Sequence, residues 1–515
     1  MGAEKYKPPT GAPDGLPRLD SVRLAALVAE LPGARVVGDA SIDVSSLAYD
    51  SRKVGPGTLF FCVPGEKSDG HEFGSAAVEA GATALVVERE LDLDVAQVVV
   101  ADARAAMAPA ASAFYGDPSA ELRVIGVTGT NGKTTTAFLI REILEAAGIQ
   151  TGLLGTVRQV VGGAEEEVER TTPEAIDLQG TFRRMLEAGD EACVMEVSSH
   201  ALALHRADAI HFEAALFTNL TQDHLDFHAD MEDYFGAKRL LFEMGPGVSI
   251  VNVDDEYGRR LADEFDCLTF SAAGADADLR ATAVSFDAAG AQFSVALGST
   301  GLKRDISTRF RPIGGEVEVR TGLPGDFNVA NALGALAVTV AMGVEAAVAA
   351  TGLARAERVP GRFEPIDEGQ GFAVLVDYAH TPDSLENVLR AAGKLTDGRV
   401  ISVFGAGGDR DRDKRPKMGR AGASLSDLAV VTSDNPRSED PEAIIAEVVG
   451  GIENGAKFEV EPDRRAAIAL ALGRAGAGDT VVIAGKGHEQ GQEFEGGRKV
   501  PFDDREVARE ELRRL

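Results

Sequence analysis

The strongest structural signal in this sequence is the stretch Gly126-Val127-Thr128-Gly129-Thr130-Asn131-Gly132-Lys133-Thr134-Thr135. Its first residues are the end of a strand predicted at 123–128. Its last residues are the start of a helix, which the apolar spacing predicts at 133–147. Glycines between a strand and a helix let backbone N–H groups face an anion, and the helix N-terminus adds its dipole. Lys133 can reach the outer phosphates of a nucleotide, and the Thr134 hydroxyl can ligate magnesium. The stretch therefore predicts a phosphate-binding loop.

Length and composition limit the classes of protein that fit. A chain of 515 residues is long enough for roughly three domains. Its 44% hydrophobic and 26% charged residues are typical of a soluble globular protein. The net charge of -30 argues against a nucleic-acid partner. A small anion remains a suitable ligand. Salt limits the range over which exposed charges act to about 8–10 Å, so a local basic pocket can hold an anion despite the net charge.

Cysteine usage and hydropathy favour a cytoplasmic location. The cysteines Cys62, Cys193 and Cys267 lie far apart, which argues against a disulfide framework and fits a reducing compartment. The first 16 residues lack the apolar core of a signal peptide. No apolar run reaches the roughly 18 residues that a membrane span needs. We therefore expect no membrane insertion.

The order of predicted elements indicates an α/β fold in three domains. Residues 1–17 are expected to be a disordered tail, followed by domains at 18–105, 106–357 and 358–515. The central domain alternates strands and helices, which favours a parallel sheet, and a period of two near residues 279–319 suggests an antiparallel subsheet. The third domain is predicted to be a Rossmann-like open sheet with binding loops at the strand C-terminal ends. Strands are predicted at 84–87, 98–100, 123–128, 192–197, 214–218, 249–253, 374–376, 400–404, 428–432, 458–460 and 480–483.

The phosphate loop departs from the strict general pattern, which needs a glycine where Val127 stands. Its string Thr-Gly-Thr-Asn-Gly-Lys-Thr-Thr resembles the loop of Mur ligases and folylpolyglutamate synthetases. Further motifs that resemble Mur ligases run from about Leu47 to Asp504, and their order and spacing together are specific. The resemblance implies a monomeric, cytoplasmic, ATP- and Mg²⁺-dependent ligase of peptidoglycan precursor synthesis. Its three domains would bind a UDP-sugar, ATP and an amino acid.

The resemblance also implies the nucleotide site. The expected ATP-binding residues are Gly129, Thr130, Asn131, Gly132, Lys133, Thr134, Thr135, Asn328, Asn331, Arg362 and Asp377. Arg362 would face the triphosphate and Asp377 the ribose. Two alternatives stay open from the residues alone: Asn328 can be a helix cap, and Arg362 can belong to a surface ion pair.

Four residues are expected to be catalytic by the same resemblance: Lys133, Glu196, His224 and Lys238. A carboxylate at a strand end, such as Glu196, can hold magnesium, and the implied metal ligands are Thr134, Glu196 and His224. Without the resemblance, His224 would be read as a structural hydrogen-bonding residue. Lys238 matches a lysine that Mur ligases carbamylate to N6-carboxylysine, whereas an unmodified surface lysine is the alternative.

Residues for a muramoyl peptide are implied in the first half of the chain. The expected contacts to a UDP-N-acetylmuramoyl dipeptide are Ser51, Thr171, Thr172, Ser198 and Arg206. Two positions depart from the family pattern. Arg170 stands where an asparagine is usual, and Leu204 where a glutamine is common in some relatives, which puts the contacts at these two positions in doubt.

The amino-acid specificity is expected to depend on Asp434-Asn435-Pro436-Arg437. A bidentate arginine suits the distal carboxylate of meso-diaminopimelate, and Arg410 offers a second guanidinium. Asn435 can bond the same end group, and Glu489 offers a carboxylate for the ammonium. Mur ligases that add lysine lack the arginine of this tetrad. The implied diaminopimelate-binding residues are Arg410, Asp434, Asn435, Arg437, Gly485 and Glu489.

The expected reaction joins meso-diaminopimelate to UDP-N-acetylmuramoyl-L-alanyl-D-glutamate through an acyl phosphate. Three alternatives remain. The same ligase can use lysine or another diamino acid, or the protein can resemble a folylpolyglutamate synthetase in function. The uridine-type first domain and Arg437 argue against the latter. A nucleotide-binding regulatory module without catalysis is disfavoured by Lys133, Glu196 and His224.

Overall fold

The computed structural model describes residues 21–65, 68–168, 170–297 and 317–515. The predicted tail at residues 1–17 and part of the predicted subsheet, residues 298–316, lie outside the described residues. The chain divides into two compact units. The first unit comprises Met1–Val127, Gly148–Ala215 and Leu240–Gly247, and the second unit comprises Thr128–Ala147, Leu216–Arg239 and Val248–Leu515. The predicted boundaries at 105/106 and 357/358 stay predictions.

Strands are distributed along the whole described chain. They are β1 (Val22–Arg23), β2 (Arg35–Val37), β3 (Asp43–Val44), β4 (Ser46–Ala48), β5 (Thr58–Phe61), β6 (Ala82–Val87), β7 (Ala96–Val99), β8 (Arg123–Thr128), β9 (Thr151–Leu154), β10 (Gln159–Val161), β11 (Ala164–Glu166), β12 (Ala192–Glu196), β13 (Phe212–Phe217), β14 (Val248–Asn252), β15 (Cys267–Ser271), β16 (Leu279–Asp287), β17 (Gly290–Leu297), β18 (Val317–Thr321), β19 (Glu364–Pro365), β20 (Ala373–Asp377), β21 (Val400–Phe404), β22 (Leu428–Val431), β23 (Phe458–Val460), β24 (Thr480–Ala484), β25 (Gly491–Phe494) and β26 (Arg498–Pro501).

Helices lie between most of these strands. They are α1 (Leu24–Ala29), α2 (Gly74–Glu79), α3 (Met107–Tyr115), α4 (Lys133–Ala146), α5 (Ala175–Ala188), α6 (Ser199–Ala203), α7 (Met231–Glu243), α8 (Glu256–Glu264), α9 (Asp326–Ala341), α10 (Ala346–Arg355), α11 (Pro382–Leu395), α12 (Lys414–Ser424), α13 (Pro441–Val449), α14 (Arg464–Arg474) and α15 (Asp504–Leu512). No helix of the described residues is long and apolar enough to cross a membrane.

The first unit contains a sheet with the strand order β2-β7-β6-β5-β4. Strands β4 to β7 are parallel, and β2 is antiparallel to β7. Alternate side chains of β5 enter two hydrophobic clusters, because successive residues of a strand face opposite sides. Leu59 and Phe61 pack with α1 and α3, whereas Phe60 packs with α2. Both faces of this sheet are therefore covered.

Five neighbouring strands of a larger sheet lie in the first unit and position a carboxylate. They follow the order β11-β10-β9-β12-β8, with β9, β12 and β8 parallel and hairpins at β9–β10 and β10–β11. All five residues of β12 are buried, as expected of a central parallel strand. The strand ends at Glu196, which pairs in register with Val127 of β8. Glu196 therefore lies at the carboxyl end of the sheet, where ligands of α/β proteins bind.

The second unit begins at Thr128, so it contains the phosphate loop from that residue on and the helix α4 that follows. Its strands β14, β15 and β16 are parallel, and β16, β17 and β18 continue as an antiparallel sheet. Helix α9 packs against these strands and against α4, and nearly every residue of α9 is buried. The predicted antiparallel subsheet is therefore present within the described residues.

The C-terminal part of the second unit is an open sheet with the order β19-β20-β24-β21-β22-β23. Strands β20 to β24 are all parallel. Val400 and Phe404 of β21 pack with α11, α12 and α13, whereas Ile401 and Val403 pack with α14 and α15. Helices thus cover both faces, which is the doubly wound arrangement. The predicted α/β class and Rossmann-like third sheet are confirmed.

The two helices that cover the second face of this sheet share a fully buried ion pair. Arg464 of α14 donates to both carboxylate oxygens of Asp504 at 2.8 and 2.7 Å, and neither side chain is exposed. Removing one partner of a buried pair leaves the other charged and unpaired. We expect Arg464→Met to lower the free energy of unfolding in urea by about 3–5 kcal/mol.

The adjacent Arg465 provides the control. It pairs with Glu510 and Glu511 of α15, but its side chain is 40% exposed. Exposed pairs contribute about 0–1 kcal/mol, so Arg465→Met should change the free energy of unfolding by no more than that. Equal losses for the two variants would contradict the importance of the buried pair.

Candidate functional site

The phosphate loop has a backbone that only glycine adopts readily at two positions. Gly129 has φ +146° and Gly132 has φ +86°. A Cβ on Gly129 would lie 1.9 Å from the Thr218 hydroxyl oxygen, and one on Gly132 would lie 2.4 Å from Asn331 Oδ1. Both glycines are therefore required by the backbone conformation and by close approach of a neighbour.

The segment after β13 holds the loop in place through hydrogen bonds. Thr218 donates its hydroxyl to the Asn131 carbonyl at 2.6 Å. The Thr130 amide donates to the Asn219 carbonyl, and the Asn131 amide donates to Asn219 Oδ1, both at 2.9 Å. The loop shape is thus fixed by contacts within the protein, which is the preorganisation that anion binding requires.

Two lysines meet at one carbonyl of the loop. Lys133 Nζ donates to the Gly129 and Thr130 carbonyls at 2.9 and 2.8 Å, and Lys238 Nζ donates to the Gly129 carbonyl at 2.8 Å. Lys238 is buried, and its Nζ is 4.6 Å from the centre of the Tyr234 ring. Burial lowers the pKa of Lys238 well below its usual range, and the nearby Lys133 charge lowers it further. The lysines make this part of the loop suitable for an anion.

His224 lies beside an acidic residue that the sequence analysis did not assign. His224 has φ +58°, and its Nε2 is 3.5 Å from the buried Asp223 carboxylate. Lys414 Nζ donates to Asp223 at 3.2 Å, and His380 Nε2 lies 3.6 Å from it. Burial opposes ionisation of Asp223, but Lys414 and the two histidines outweigh it and hold the pKa of Asp223 well below its usual range. Asp223 is therefore an anion that organises three cationic or ionisable partners.

Arg362 reaches the helix that follows the phosphate loop. Its Nη2 donates to the Thr134 hydroxyl at 3.0 Å, and its guanidinium stacks 4.4 Å from the centre of the Tyr378 ring. Its buried Nε has no hydrogen-bond partner. Asp377, by contrast, uses both carboxylate oxygens to accept backbone amides at 2.7 and 2.8 Å. Burial raises the pKa of Asp377.

The two asparagines of α9 are buried and bonded to each other. Asn331 Nδ2 donates to Asn328 Oδ1 at 3.1 Å, and Asn328 Nδ2 donates to the Pro324 carbonyl at 2.8 Å. The helix has Gly325 as its N-cap, so the alternative that Asn328 caps the helix is wrong. Thr135, in the first turn of α4, is also buried.

The first unit brings the predicted muramoyl contacts Thr171, Thr172 and Ser198 close to Glu196. Both carboxylate oxygens of Glu196 accept from Thr156, whose hydroxyl is 3.1 Å from that of Thr171. Thr172 donates its hydroxyl to the Glu196 carbonyl at 2.9 Å and accepts from the Ser198 amide at 3.1 Å. Four hydroxyl side chains thus surround one strand end.

The remaining predicted muramoyl contacts lie on other elements of the first unit. Arg206 donates to the Thr172 carbonyl at 3.3 Å and pairs with Glu174 at 3.0 Å. Arg170, where an asparagine is usual, also pairs with Glu174. Ser51 begins a short 3₁₀ turn, and Leu204 is the C-cap of α6.

The predicted amino-acid-binding arginines border the same glycine. A Cβ on Gly407 would lie 3.0 Å from Arg437 Nη1 and 3.9 Å from Arg410 Cγ. Arg437 donates to the Gly408 carbonyl at 2.7 Å and to Glu493 at 3.1 Å, whereas Arg410 is exposed. The Arg437 guanidinium and the aliphatic stem of Arg410 therefore lie beside the same glycine of the second unit.

The neighbouring polar residues form a connected group. Asn435 donates to the Glu489 carboxylate at 3.0 Å, and the buried Lys486 donates to both Asn435 Oδ1 and Glu489 at 2.7 and 2.9 Å. Asp434 Oδ2 is buried without a hydrogen-bond partner and would lie 2.5 Å from a Cβ on Gly485. Gly485 has φ +125°, so glycine is required there.

Three functional candidates were missed by the sequence analysis: Asp223, Lys414 and Glu174. Asp223 directly precedes His224 and Glu174 follows Thr172 by two positions, but the partners of both carboxylates are distant in sequence. The only available signal was adjacency to His224 and to Thr172. Among the described residues, no group of three or more His, Cys, Asp or Glu side chains is placed to hold a metal ion.

A phosphate loop on an α/β fold with a Rossmann-like C-terminal sheet defines a class of nucleotide-binding enzymes. The sequence matches the Mur ligase middle domain over residues 127–339, the Mur ligase glutamate ligase domain over residues 361–487 and the Mur ligase family catalytic domain over residues 43–117. The chain belongs to the Mur ligase family. It is an ATP-dependent, amide-bond-forming ligase.

Relatives of known name cover almost the whole chain. A UDP-N-acetylmuramoyl-L-alanyl-D-glutamate–2,6-diaminopimelate ligase of Streptomyces coelicolor is 46% identical over 512 residues, which cover 96% of this chain and 97% of that protein. A protein of the same name from Alkaliphilus metalliredigens is 44% identical, with 95% and 97% covered. A solved structure of a ligase with this name has a TM-score of 0.67 and 30% identity, and covers 96% of this chain and 99% of its own.

Substitution of Gly129 tests whether this loop binds the phosphates of a nucleotide. Gly129→Ala would place a methyl group 1.9 Å from the Thr218 hydroxyl and force an alanine to φ +146°. We expect MgADP binding, measured by titration calorimetry, to weaken by about tenfold or more, which corresponds to about 1.4 kcal/mol.

Gly343→Ala is the matched control for this variant. Gly343 also has a positive φ of +99°, but a Cβ there meets nothing within 4 Å. It should lose about 1 kcal/mol of stability and keep its affinity for MgADP. Unchanged affinity in the Gly129 variant would contradict the loop assignment.

Proposed function

We propose that this protein adds meso-diaminopimelate to UDP-N-acetylmuramoyl-L-alanyl-D-glutamate at the expense of ATP. Similarity over nearly the full length to ligases of that name supports the proposal. The observation that carries the choice of amino acid is the convergence of Arg410 and Arg437 on Gly407. The Arg437 guanidinium, with the Arg410 side chain beside it, suits a substrate with a distal carboxylate.

ATP binds at the phosphate loop of the second unit. Backbone amides in the first turn of α4 and the dipole of that helix hold the phosphates, and Lys133 exchanges its loop carbonyls for phosphate oxygens. Arg362 adds a second cation, because its guanidinium already contacts Thr134 at the start of α4. We assign the rest of the nucleotide, its base and ribose, to Asn328, Asn331 and Asp377. Their hydrogen bonds hold the backbone and side chains around them in place.

The donor atoms fit Mg²⁺ in part. Thr134 and Glu196 supply the oxygen ligands that this ion prefers, whereas His224 offers a nitrogen and is the weaker match. We assign Thr134, Glu196 and His224 as the residues that hold the ion. When bound, Mg²⁺ neutralises phosphate charge during phosphoryl transfer.

Lys238 is suited to carbamylation. Because its pKa is lowered, the amine is uncharged at pH values where an exposed lysine stays protonated. An uncharged amine attacks CO₂: the N–C bond forms, a proton leaves the nitrogen, and a carbamate anion results. The new anion would lie beside the Lys133 ammonium, because both side chains reach the Gly129 carbonyl.

The muramoyl dipeptide binds in the first unit. Thr171, Thr172 and Ser198 offer hydroxyls near the end of β12, and Arg206 offers a guanidinium tied to the same loop. Ser51, at the start of its 3₁₀ turn, is assigned to the uridine diphosphate end. Leu204 offers no polar atom in its side chain, so a glutamine-type contact is lost at that position.

Diaminopimelate is recognised by charge at both of its distal groups. Arg410 and Arg437 take the carboxylate, and Glu489 takes the ammonium. Asn435 bonds the same end group, since it already lies 3.0 Å from Glu489. Asp434 and Gly485 support this arrangement by close packing, and Lys486 holds Asn435 and Glu489 in place.

The reaction proceeds in two steps without a side-chain nucleophile. The D-glutamate γ-carboxylate attacks the γ-phosphorus of ATP, so an O–P bond forms, the bond to the β-phosphate oxygen breaks and ADP leaves. The diaminopimelate amine then attacks the acyl carbon, phosphate leaves and the nitrogen loses a proton. Lys133 and Arg362 stabilise charge in the first step, and positioning supplies much of the rate.

We assign the reaction to the cytoplasm, because the three cysteines are free, as in a reducing compartment. We also assign it to a monomer.

Amino-acid selection tests the proposal. Purified protein with ATP, MgCl₂ and the muramoyl dipeptide should release phosphate with meso-diaminopimelate, and at least about tenfold less with L-lysine, which lacks the distal carboxylate. Arg437→Ala should raise KM for diaminopimelate by about 10- to 100-fold, because a charge-assisted bond contributes about 1.5–3 kcal/mol. KM for ATP should stay unchanged in this variant.

The control is Arg474→Ala, which removes a half-exposed arginine of α14 that pairs with Glu459 at 3.0 Å. It should keep the KM values of the unaltered protein. Equal use of lysine and diaminopimelate, or an unaltered KM in Arg437→Ala, would refute the assignment of specificity. Lack of any ATP turnover with the full set of substrates would refute the ligase function.

Carbamylation of Lys238 predicts a signal from labelled CO₂. With ¹³C-bicarbonate, the protein should show a carbamate resonance that Lys238→Ala lacks, and kcat of the variant should fall by about 100-fold or more. Lys457→Ala, at an exposed position, should keep both the resonance and kcat. A resonance that persists in the Lys238 variant would argue against this site.

A further inference from the structure

The hairpin β25–β26 forms hydrogen bonds with three residues of the tetrad that carries Arg437. Gln492 Nε2 donates to the Asp434 carbonyl at 2.7 Å, and the Glu493 amide donates to Asn435 Oδ1 at 3.0 Å. The Arg437 amide donates to the Glu493 carbonyl at 3.0 Å, and Arg437 Nε donates to the Glu493 carboxylate at 3.1 Å. The hairpin therefore covers one side of the tetrad, with Glu493 at the centre of these contacts.

The backbone of Arg437 has a strained conformation that Glu493 helps to hold. Arg437 has φ +51°, which lies in the left-handed region that residues with a side chain rarely adopt. Such strain persists only where the surrounding structure fixes the backbone. Glu493 accepts from the Arg437 amide through its carbonyl and from the guanidinium through its carboxylate. One residue thus fixes both the backbone and the side chain of Arg437.

The loop after β21 covers the other side of the tetrad. A Cβ on Gly408 would lie 1.9 Å from the Pro436 carbonyl oxygen, and the Gly408 amide donates to the Asn435 carbonyl at 2.9 Å. Arg437 Nη1 donates to the Gly408 carbonyl at 2.7 Å. The tetrad is therefore confined between this loop and the hairpin.

These contacts leave one nitrogen of the Arg437 guanidinium available to a ligand. Nε is bound to Glu493 and Nη1 to Gly408, whereas Nη2 has no hydrogen bond within the part of the chain that the structure describes. The side chain is 22% exposed, so solvent reaches it. Because a guanidinium is planar and rigid, fixing two of its nitrogens also fixes the direction of the third.

We propose that Glu493 is a positioning residue for amino-acid specificity, which holds Arg437 in the orientation in which Nη2 meets the distal carboxylate of the amino acid. Glu493 acts through Arg437 and not by contact with the amino acid. This inference rests on the proposed function, which supplies the distal carboxylate. It assigns part of the specificity to a hairpin outside the tetrad.

Substitutions at Glu493 test this role with two amino acids. Glu493→Ala frees the guanidinium, so KM for meso-diaminopimelate should rise by about tenfold, the effect of a weakened charge-assisted bond. KM for ATP, and kcat/KM for L-lysine, which lacks the distal carboxylate, should stay within about twofold of the unaltered protein. An unaltered KM for diaminopimelate would overturn the proposal, and so would an equal loss with both amino acids, which indicates a purely structural role.

The conservative variant Glu493→Gln should restore the function that Glu493→Ala loses. A glutamine oxygen still accepts a hydrogen bond from Arg437 Nε, so the orientation of the guanidinium is kept. KM for diaminopimelate should therefore stay within about threefold of the unaltered protein. If Glu493→Gln is as impaired as Glu493→Ala, the negative charge matters rather than the position of Arg437, and the proposal fails.

A double variant separates action through Arg437 from an independent effect of Glu493. If Glu493 acts only through Arg437, Glu493→Ala should raise KM for diaminopimelate no further in a protein that already carries Arg437→Ala. Independent contributions would multiply, so a further rise of about tenfold in the double variant would overturn the proposal. This comparison uses diaminopimelate alone and needs no turnover of lysine.

The matched control is Glu459→Ala. Glu459 of β23 pairs with Arg474 of α14 at 3.0 Å and its side chain is 34% exposed, compared with 3.1 Å and 33% for Glu493. Its removal should leave KM for diaminopimelate unchanged. A rise equal to that of Glu493→Ala would show a general charge effect and contradict a specific role.

Failure of the proposed function gives a different result from failure of this inference. If the unaltered protein releases no phosphate with diaminopimelate and the other substrates, the proposed function fails and the role of Glu493 with it. Normal turnover together with an unaltered KM in Glu493→Ala overturns the role of Glu493 alone.

Discussion

The second unit depends on a steric constraint at a single backbone position. Gly129 can have no side chain, because the Thr218 hydroxyl occupies the place of its Cβ while it bonds the Asn131 carbonyl. This packing turns the Gly129 carbonyl toward Lys133 and Lys238, which both donate to it. A loop built this way carries a concentration of positive charge that only an anion fully compensates. Phosphate binding is therefore a consequence of how the loop packs on the end of the neighbouring strand.

Residues from the C-terminal sheet complete the surroundings of this loop within the second unit. Arg362 bonds Thr134, Asn131 donates to Asp383 at 2.9 Å, and Lys414 pairs with Asp223. A buried pair such as Lys414–Asp223 adds little net stability relative to apolar packing, yet losing one partner is strongly destabilising. Such contacts therefore act mainly by excluding other arrangements of the same elements. Gln222 also donates to Asp411 at 2.9 Å, so the segment before His224 is tied to the loop that carries Arg410.

The sequence predicted the buried elements well and the polar architecture poorly. Strands β8, β21 and β23 have the predicted bounds, because continuous apolar runs between turn signals identify parallel strands. Hairpin β25–β26 was not predicted, since its residues are mostly polar, those of β26 are exposed, and its turn depends on two glycines with positive φ. That hairpin supplies Glu493, which fixes Arg437. Asp223 and Glu174 were missed for a related reason: a carboxylate gains its role from cations that are distant in sequence, and no local pattern reveals them.

A strongly acidic protein can still bind polyanionic substrates if its positive charge is local. The net charge of -30 is spread over 515 residues, and salt screens exposed charges beyond about 8–10 Å. Within that range cations lie close together at two places: Lys133 and Arg362 beside the phosphate loop in the second unit, and three arginines around Glu174 in the first. Buried or half-buried charges are screened less than exposed ones, so each cluster acts on a bound anion more strongly than the distant acidic surface does. The acidic balance thus disfavours nucleic acid, whose charge extends over many Debye lengths, without weakening the binding of a single nucleotide or carboxylate.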